Sequence, residues 1–275
     1  MTASRIAAAF ELAAGERRSA FIGYLTAGDP AAGGTLALAR SLDRAGADVL
    51  ELGVPFSDPI ADGPVLQRSA ERSLAAGTNL PAVWRLARAI RRESATPLVL
   101  FSYLNPLLRR GLERSAAEAK AAGFDAVLVT DLPPEEAGEI QPLLRSAFLD
   151  TVFLVSPTSS VERMRSAARL SSGFLYVVSR AGTTGARDFL PPTLPATIVR
   201  ARRARSGGRL PIAVGFGIST PAAALAAGRL ADGVVVGSAL VAAAETGGRA
   251  AFETLSRRLA AACRRATPPR TGGRP

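Results

Sequence analysis

Residues 20–30, AFIGYLTAGDP, decide between the two architectures that this sequence allows. The segment Ala20–Thr26 is apolar at nearly every position, which is typical of a strand buried on both faces in a parallel sheet. In an open, doubly wound sheet, such a first strand is normally followed by a glycine-rich nucleotide-binding fingerprint. The turn Thr26-Ala-Gly-Asp-Pro30 lacks that fingerprint. The stretch therefore favours a closed α/β barrel over the open sheet.

Further along the chain the same unit recurs, a short apolar run followed by a helical stretch rich in alanine and leucine. This alternation predicts parallel strands that are connected by helices. The strands are predicted at Ala20–Thr26, Asp48–Val54, Leu98–Tyr103, Ala126–Thr130, Val152–Val155, Phe174–Val178, Ile212–Gly215 and Gly233–Val236. The helices are predicted at Ala31–Ala45, Ala82–Arg92, Leu112–Ala122, Pro134–Arg145, Val161–Leu170, Leu194–Arg205, Pro221–Ala227 and Arg249–Arg265.

A further helix, predicted at Arg5–Ala13, precedes the first strand and is expected to close the floor of the barrel. We therefore predict an α/β fold, a single (β/α)8 TIM barrel with an extra N-terminal helix, over residues 1–265. Residues 266–275 are rich in proline, glycine and arginine and are predicted to form a disordered tail.

The formal net charge of +11 raises the question of nucleic-acid binding. The positive charges are almost all arginine and are spread over the predicted helices. Only 5% of the residues are aromatic, and the basic segments lack the aromatic side chains that would stack on bases. We therefore expect a solvated, arginine-rich exterior and no nucleic-acid partner.

The same composition bears on the compartment. No apolar run reaches the roughly 18 residues that suggest a membrane span, so no membrane association is expected. Residues 1–10 lack the basic and then apolar pattern of a signal peptide. A single cysteine, Cys263, excludes an internal disulfide framework and fits a reducing compartment. The expected location is the cytoplasm.

The residue types that are missing narrow the chemistry further. The sequence contains no histidine, so the usual general base, the usual metal ligand and the Ser-His-Asp triad are all excluded. Its one lysine, Lys120, falls in a predicted helix, whereas barrel chemistry takes place at the C-terminal ends of the strands. Acid–base work therefore falls to Asp, Glu or Tyr, and neither a metal nor a Schiff base is predicted.

Three glycine-containing turns follow the last three predicted strands, at residues 181–186, 215–219 and 237–239. In a barrel these turns converge on one rim. Glycine lets backbone N–H groups approach a phosphate closely, and a helix that starts at Gly237-Ser238 would direct its positive end at the anion. Any one of these glycines would be read as an ordinary turn residue, but the three together predict a phosphate site.

Two acidic side chains are the candidates for catalysis. Glu51 lies in the second predicted strand among apolar residues, where burial would raise its pKa and let it both donate and accept a proton near neutrality. Asp62 follows in a long loop that its prolines and glycines bend back over the barrel mouth. Asp58 and Asp62 taken singly are ordinary turn formers, whereas burying an unpaired Glu51 without a function would be costly.

Together these segments resemble the α subunit of tryptophan synthase. The resemblance spans about residues 20 to 240, and its most diagnostic string is Glu51–Pro64, ELGVPFSDPIADGP. The other matching segments, in the order of the family, are Gly23–Pro30, Tyr103–Pro106, Thr130–Pro133, Ser179–Gly185, Gly215–Ser219 and Gly237-Ser238.

The resemblance implies retro-aldol cleavage of indole-3-glycerol phosphate to indole and glyceraldehyde 3-phosphate, a lyase step of tryptophan biosynthesis. It implies that Glu51 is the catalytic acid–base, that Asp62 is the second catalytic carboxylate and that Thr184 is a latch that closes toward it. The implied phosphate ligands are Gly185, Gly215, Gly217, Gly237 and Ser238. The implied substrate pocket is formed by Tyr24, Phe101, Tyr103, Leu128, Tyr176, Phe216 and Val235, although barrel packing explains Leu128 and Val235 equally well.

The resemblance also implies a heteromeric partner. The family works as an α2β2 heterotetramer with a β subunit that receives the indole and holds pyridoxal phosphate, so no cofactor is expected in this chain. The implied partner contacts include Pro55 and Asp58. Two other functions stay open: a stand-alone lyase that releases free indole, and a non-catalytic activator of the β subunit.

Overall fold

The computed structural model of the protein describes residues 4–179, 190–205 and 210–268. Parallel strands form a closed barrel in the order β1 to β8, which confirms the predicted architecture over the open sheet. The strands are β1 (Ala20–Thr26), β2 (Val49–Gly53), β3 (Leu98–Ser102), β4 (Ala126–Val129), β5 (Asp150–Val155), β6 (Leu175–Val178), β7 (Ile212–Gly215) and β8 (Gly233–Val236).

The helices surround the barrel, except for the first, which lies across its floor. They are α1 (Arg5–Gly15), α2 (Ala32–Ala45), α3 (Pro64–Ala75), α4 (Leu80–Glu93), α5 (Leu104–Arg110), α6 (Leu112–Ala122), α7 (Ile140–Ser146), α8 (Val161–Leu170), α9 (Leu194–Ala204), α10 (Pro221–Gly228) and α11 (Ser238–Arg264), with a 3-10 turn at Pro134–Glu136.

Each strand divides its side chains between two cores because successive residues point to opposite faces of a sheet. In β2, Leu50 and Leu52 pack in the outer core between the strands and the helices. Val49 packs in the barrel interior, so Glu51, two residues later, points into the same interior. The strand register therefore decides that the one carboxyl group of β2 faces inward.

Helix α1 closes the bottom of the barrel, as predicted. Ser4 caps its first turn by accepting a hydrogen bond from the Ala7 amide at 3.1 Å. Ile6, Phe10 and Ala13 lie on the buried face of the helix and belong to the interior core. The Phe10 ring packs 5.6 Å from the ring of Phe174 at the start of the sixth strand region. The floor is therefore apolar and the opening of the barrel is at the opposite end.

The structure differs from the sequence prediction in the connections. The long loop predicted after β2 ends at Gly63, because Pro64 occupies the first turn of α3, where its missing N–H costs nothing. The helix predicted at Pro134–Arg145 is divided into the short 3-10 turn and α7. The last helix begins at Ser238, and Gly248 interrupts it with a φ of 61°.

The one lysine and the one cysteine of the sequence both lie in helices. Lys120 lies in α6, and its ammonium donates to the carbonyl oxygen of Phe148 at 2.8 Å. Cys263 is buried in α11, and burial raises the pKa of its thiol to about 12. Among the helices within the described ranges, none is long and apolar enough to cross a bilayer. Most of the predicted tail, residues 269–275, lies outside those ranges.

Candidate active site

Glu51 lies at the upper end of the barrel interior, and no cation of the described residues acts on its carboxyl group. It pairs in register with Tyr24 of β1 and Val99 of β3 and is 1% exposed. Its Oε1 atom is buried and has no hydrogen-bond partner among the described residues. Burial raises the pKa of Glu51 from 4.5 to about 8, so the group is mostly protonated at neutral pH. The fold therefore keeps Glu51 neutral and able to donate a proton.

Asp62 lies in the loop between β2 and α3 and is 6% exposed. The hydroxyl of Tyr103 donates to its Oδ2 at 3.2 Å, while Oδ1 is buried and has no partner in the described ranges. Burial raises the pKa of Asp62 to about 6, although the Tyr103 hydrogen bond acts in the opposite direction. At pH 7 Asp62 is therefore mainly a carboxylate, whereas Glu51 on β2 is mainly protonated.

Two tyrosines form the walls beside these acids. Burial, followed by the charge of Asp62, raises the pKa of Tyr24, and the charge of Glu51 adds to the effect. Burial and the charge of Glu51 raise the pKa of Tyr176 in the same way. Both phenols therefore stay neutral and face the acids as dipoles.

Glycine makes room for both phenol groups. A Cβ atom at Gly53 would lie 2.1 Å from the hydroxyl oxygen of Tyr24, and one at Gly215 would lie 2.1 Å from that of Tyr176. The resemblance to the family implied that Gly215 is a phosphate ligand. In the structure, the Tyr176 phenol fills the space that a side chain at this position would need, so packing alone requires glycine here.

Within the described ranges, the opposite side of the barrel mouth is formed by backbone and not by charged side chains. Phe216 and Gly217 both have positive φ, 67° and 81°, and turn the chain sharply after β7. The amides of Leu240 and Val241 donate to the Gly237 carbonyl, so the earlier N–H groups of α11 point out of its N-terminus. With the positive end of a long helix beside them, these amides suit an anion.

A narrow cleft at the barrel mouth connects Glu51 to this backbone rim. Its lining contains both sides of the predicted site: Tyr24, Glu51, Leu66, Phe101, Tyr176, Phe216, Gly217, Ile218, Val235, Gly237 and Ser238. The sequence analysis missed Leu66 and Ile218. Leu66 could have been found, because an apolar and small-residue stripe follows Pro64 at helical spacing.

Other predicted residues lie near the cleft without lining it. Tyr103 contacts Asp62, and the Phe56 ring packs 5.2 Å from the Tyr103 ring. Leu128 is fully buried in the interior core. The predicted latch Thr184 and the predicted phosphate ligand Gly185 lie outside the described residues.

The two predicted partner contacts differ in exposure. Pro55 is buried within the chain, whereas Asp58 is exposed and accepts a hydrogen bond from the Ser57 hydroxyl at 2.6 Å. Ile60 and Leu108, which were not singled out from the sequence, are 77% and 49% exposed on the segments that follow β2 and β3. This part of the rim therefore presents apolar side chains to its surroundings.

The arrangement is suited to proton transfer on an anionic substrate. The protonated carboxyl group of Glu51 and the backbone of Gly217 and Gly237 line the same cleft. The Asp62 carboxylate does not line it but is close enough to Tyr24, which does, for its charge to act on that phenol. In the described part of the chain, no three His, Cys, Asp or Glu side chains are grouped so that they could hold a metal ion. The chemistry available from these side chains is acid–base catalysis with electrostatic stabilisation.

Comparison with known proteins identifies the family. The family model described as tryptophan synthase alpha chain matches residues 10–267. The alpha chains of Solibacter usitatus and Geobacter sulfurreducens are 51% and 49% identical over 238 residues, which are 86% of this chain and 88% and 89% of theirs.

Solved structures agree with the sequence comparison. The Mycobacterium tuberculosis tryptophan synthase superposes with a TM-score of 0.88 at 35% identity, over 95% of this chain and 99% of that one. The tryptophan synthase subunit alpha of Legionella pneumophila superposes with a TM-score of 0.87 at 36% identity, with the same coverage. With the barrel, the paired acids and the amide rim in place, these matches establish that the chain belongs to the tryptophan synthase alpha chain family.

Proposed function

We propose that Glu51 and Asp62 carry out the cleavage of indole-3-glycerol phosphate to indole and glyceraldehyde 3-phosphate, the carbon–carbon lyase step of this family in tryptophan biosynthesis. The observation that supports these roles is the inward-facing Glu51, which keeps its proton near neutrality in a cleft that also contains the N-terminus of α11. The phosphate binds at Gly217, Gly237 and Ser238, and the indole packs between Tyr24, Phe101 and Tyr176.

The reaction needs one proton at the indole ring and releases one from the side chain. Glu51 gives its proton to C3 of the indole, which makes the ring an electron acceptor. The side-chain hydroxyl next to C3 then loses its proton to Glu51 as the carbon–carbon bond breaks, so an aldehyde forms and the electron pair returns to the ring. The carboxyl group ends as it began, and Asp62 stabilises the positive charge on the ring by accepting from its N–H.

The direct test is an indole-release assay on the purified chain, with indole-3-glycerol phosphate as substrate, with and without a cognate β subunit. Cleavage that increases when the β subunit is added supports both the reaction and the partnership. A chain that never cleaves the substrate but raises β-subunit turnover is a non-catalytic activator. A chain that cleaves it at full rate alone is a stand-alone lyase.

Asp62→Asn is expected to lower kcat/KM by roughly 10²–10³-fold, because an amide cannot supply the negative charge that faces the protonated ring. In the wild type, kcat/KM should fall below about pH 6, where Asp62 gains a proton, and above about pH 8, where Glu51 loses one. Steady-state rates from pH 5 to 9 measure both limbs. Near-normal turnover in the variant, or a flat profile in the wild type, would show that the roles are wrong.

Gly217→Val should weaken the binding of glycerol 3-phosphate by at least about tenfold, because a β-branched residue strains a positive φ and fills the anion side of the cleft. Gly77→Val is the matched control, since Gly77 has a φ of 80° and nothing within 4 Å of an added Cβ. Isothermal titration on both folded variants separates backbone strain from ligand contact. Equal affinities for the two variants would refute the phosphate assignment.

The partner that we propose is the β subunit, in an α2β2 heterotetramer in the cytoplasm. The support in this chain is the exposure of Ile60, Leu108 and Asp58, which lie on the segments that follow β2 and β3, at the same end of the barrel as the cleft. Indole released from the cleft would leave toward this rim. Pyridoxal phosphate belongs to that partner, because Lys120 donates to the carbonyl of Phe148 just before β5 begins, and so lies at the end of the barrel opposite the cleft.

A further inference from the structure

The proposed function leaves open what holds Asp62 in place, since it lies in a loop and not on a strand. Its backbone N–H donates to the Pro59 carbonyl at 2.9 Å, and the Gln67 side chain donates to its carbonyl at 2.8 Å. The backbone N–H of Gln67 in turn donates to the Gly63 carbonyl in the first turn of α3. Asp62 is therefore fixed to the start of α3, so the position of its carboxylate depends on the position of that helix.

Helix α3 is fastened to the end of β1 by a buried polar cluster. The Asp29 carboxylate, which is 7% exposed, accepts two hydrogen bonds from the Arg72 guanidinium, each at 2.8 Å. It also accepts from the Ser69 hydroxyl at 2.6 Å, and the Ser73 hydroxyl donates to the Ala27 carbonyl at 2.5 Å. A two-pronged arginine–carboxylate pair fixes orientation as well as distance.

The same arginine reaches a second anchor on α11. Arg72 donates to Glu245 at 2.7 Å, and Arg68, one turn earlier on α3, donates to the same carboxylate at 3.1 and 3.2 Å. Arg72 is therefore the side chain that joins α3 to both the β1 end and α11. Arg68 contacts only the outer, more exposed anchor.

We propose that Arg72 is a positioning residue for the reaction: through Asp29 it holds α3, and with it Asp62, at the height where the carboxylate meets Tyr103 and the substrate ring. The proposal rests on the proposed function of Asp62. Without Arg72, the Asp29 carboxylate keeps only Ser69 as a partner, so water is favoured to enter and α3 to move away from β1. Asp62 then loses its hydrogen bond from Tyr103 and becomes more exposed.

Arg72→Met is expected to lower kcat about tenfold or more, while glycerol 3-phosphate binds within twofold of wild type, because the phosphate rim comes from β7 and β8. A second readout does not depend on activity, namely the pKa of Asp62 followed by carbon NMR of its carboxyl group. The titratable groups that face Asp62 are the neutral phenols of Tyr103 and Tyr24, with Glu51 acting on the latter. Loss of the Tyr103 hydrogen bond would by itself raise the Asp62 pKa, but burial has the larger effect, so with more water around the group its pKa should fall from about 6 toward its ordinary range.

Two further variants separate positioning from general stability. Arg68→Met is the matched control. It should leave kcat within twofold of the wild-type value and the Asp62 pKa within a few tenths of a unit of it. The double variant Asp29→Asn, Arg72→Met removes the unpaired buried charge, so its Tm should recover while its kcat stays low. Arg72→Lys, which keeps the charge but not the two-pronged geometry, should recover part of kcat.

Recovery of kcat in step with Tm in the double variant would overturn the proposal, as would an unchanged Asp62 pKa in a folded Arg72→Met protein. A wild-type chain with no cleavage activity would instead refute the proposed function. In that case the NMR titration would still report whether Arg72 controls the surroundings of Asp62.

Discussion

Glu51→Gln is expected to lower kcat for cleavage by about 10³-fold or more. The same change should make the protein more stable above pH 7. General acid–base catalysis contributes roughly 10²–10⁴-fold, and here one carboxyl group serves both proton transfers. Glutamine has nearly the same shape and can neither donate nor accept the proton. Substrate binding should therefore be largely retained.

The stability gain follows from the difference between the folded and unfolded pKa of Glu51. Its folded pKa is raised from 4.5 to about 8, so its contribution to stability is fully present below about pH 4.5 and is lost as the pH rises to about 8. Within that window the wild type should lose up to about 1.4 kcal/mol per pH unit relative to the glutamine variant. The variant does not titrate, so the gap between the two proteins widens with pH.

Urea unfolding at pH 5, 7 and 8.5 measures this gap. The sequence contains no histidine, so no imidazole titrates in the same range. A Glu51→Gln protein that is less stable than the wild type at pH 8.5 would mean that Glu51 is not held as a buried neutral acid.

Gly53→Ala is expected to destabilise the protein by about 3 kcal/mol, the upper end of the usual cost of overpacking a core. The added methyl group would lie 2.1 Å from the Tyr24 hydroxyl and 2.6 Å from the adjoining ring carbon. Tyr24 is 6% exposed, and its ring packs 5.2 Å from that of Phe101, so it has little room to move. Displacement of this phenol from beside Glu51 should also lower kcat.

Two variants test the cause of that loss. Combining Gly53→Ala with Tyr24→Leu should cost at least about 1 kcal/mol less than the sum of the single changes, because the clash no longer exists. Gly33→Ala, in α2 with nothing within 4 Å of the added Cβ, should instead stabilise the chain by about 0.5–1 kcal/mol. Strict additivity of the first pair, measured by chemical denaturation, would contradict the contact.

The architecture of the barrel could be predicted from the sequence because it follows from local patterns. Apolar runs such as Leu98–Ser102 are buried on both faces, and the alternation within β2 alone directs Glu51 inward once a barrel is assumed. The turn glycine Gly217 and the helix start at Ser238 were also recognisable from their residue types. The helix α3 was missed, although its Pro64 start and apolar stripe were present in the sequence.

The details of the candidate site could not be predicted, because they depend on side chains that are far apart in the chain. Tyr103 reaches Asp62 across 41 positions, and Arg72 reaches Asp29 across 43 and Glu245 across 173. Nothing in the local pattern around Gly53 or Gly215 reveals that a phenol fills the space beside each of them. Only the closed barrel brings these groups together.

The sequence by itself determined the barrel, the inward-facing acid and the absence of histidine chemistry, since each depends on residue type and on a spacing of a few positions. The tertiary structure decided the protonation of the two acids and the fixing of Asp62 through α3. The physical reason is that a pKa and a position in a loop depend on how much water and which partners surround a group. Those surroundings exist only after distant segments have packed together.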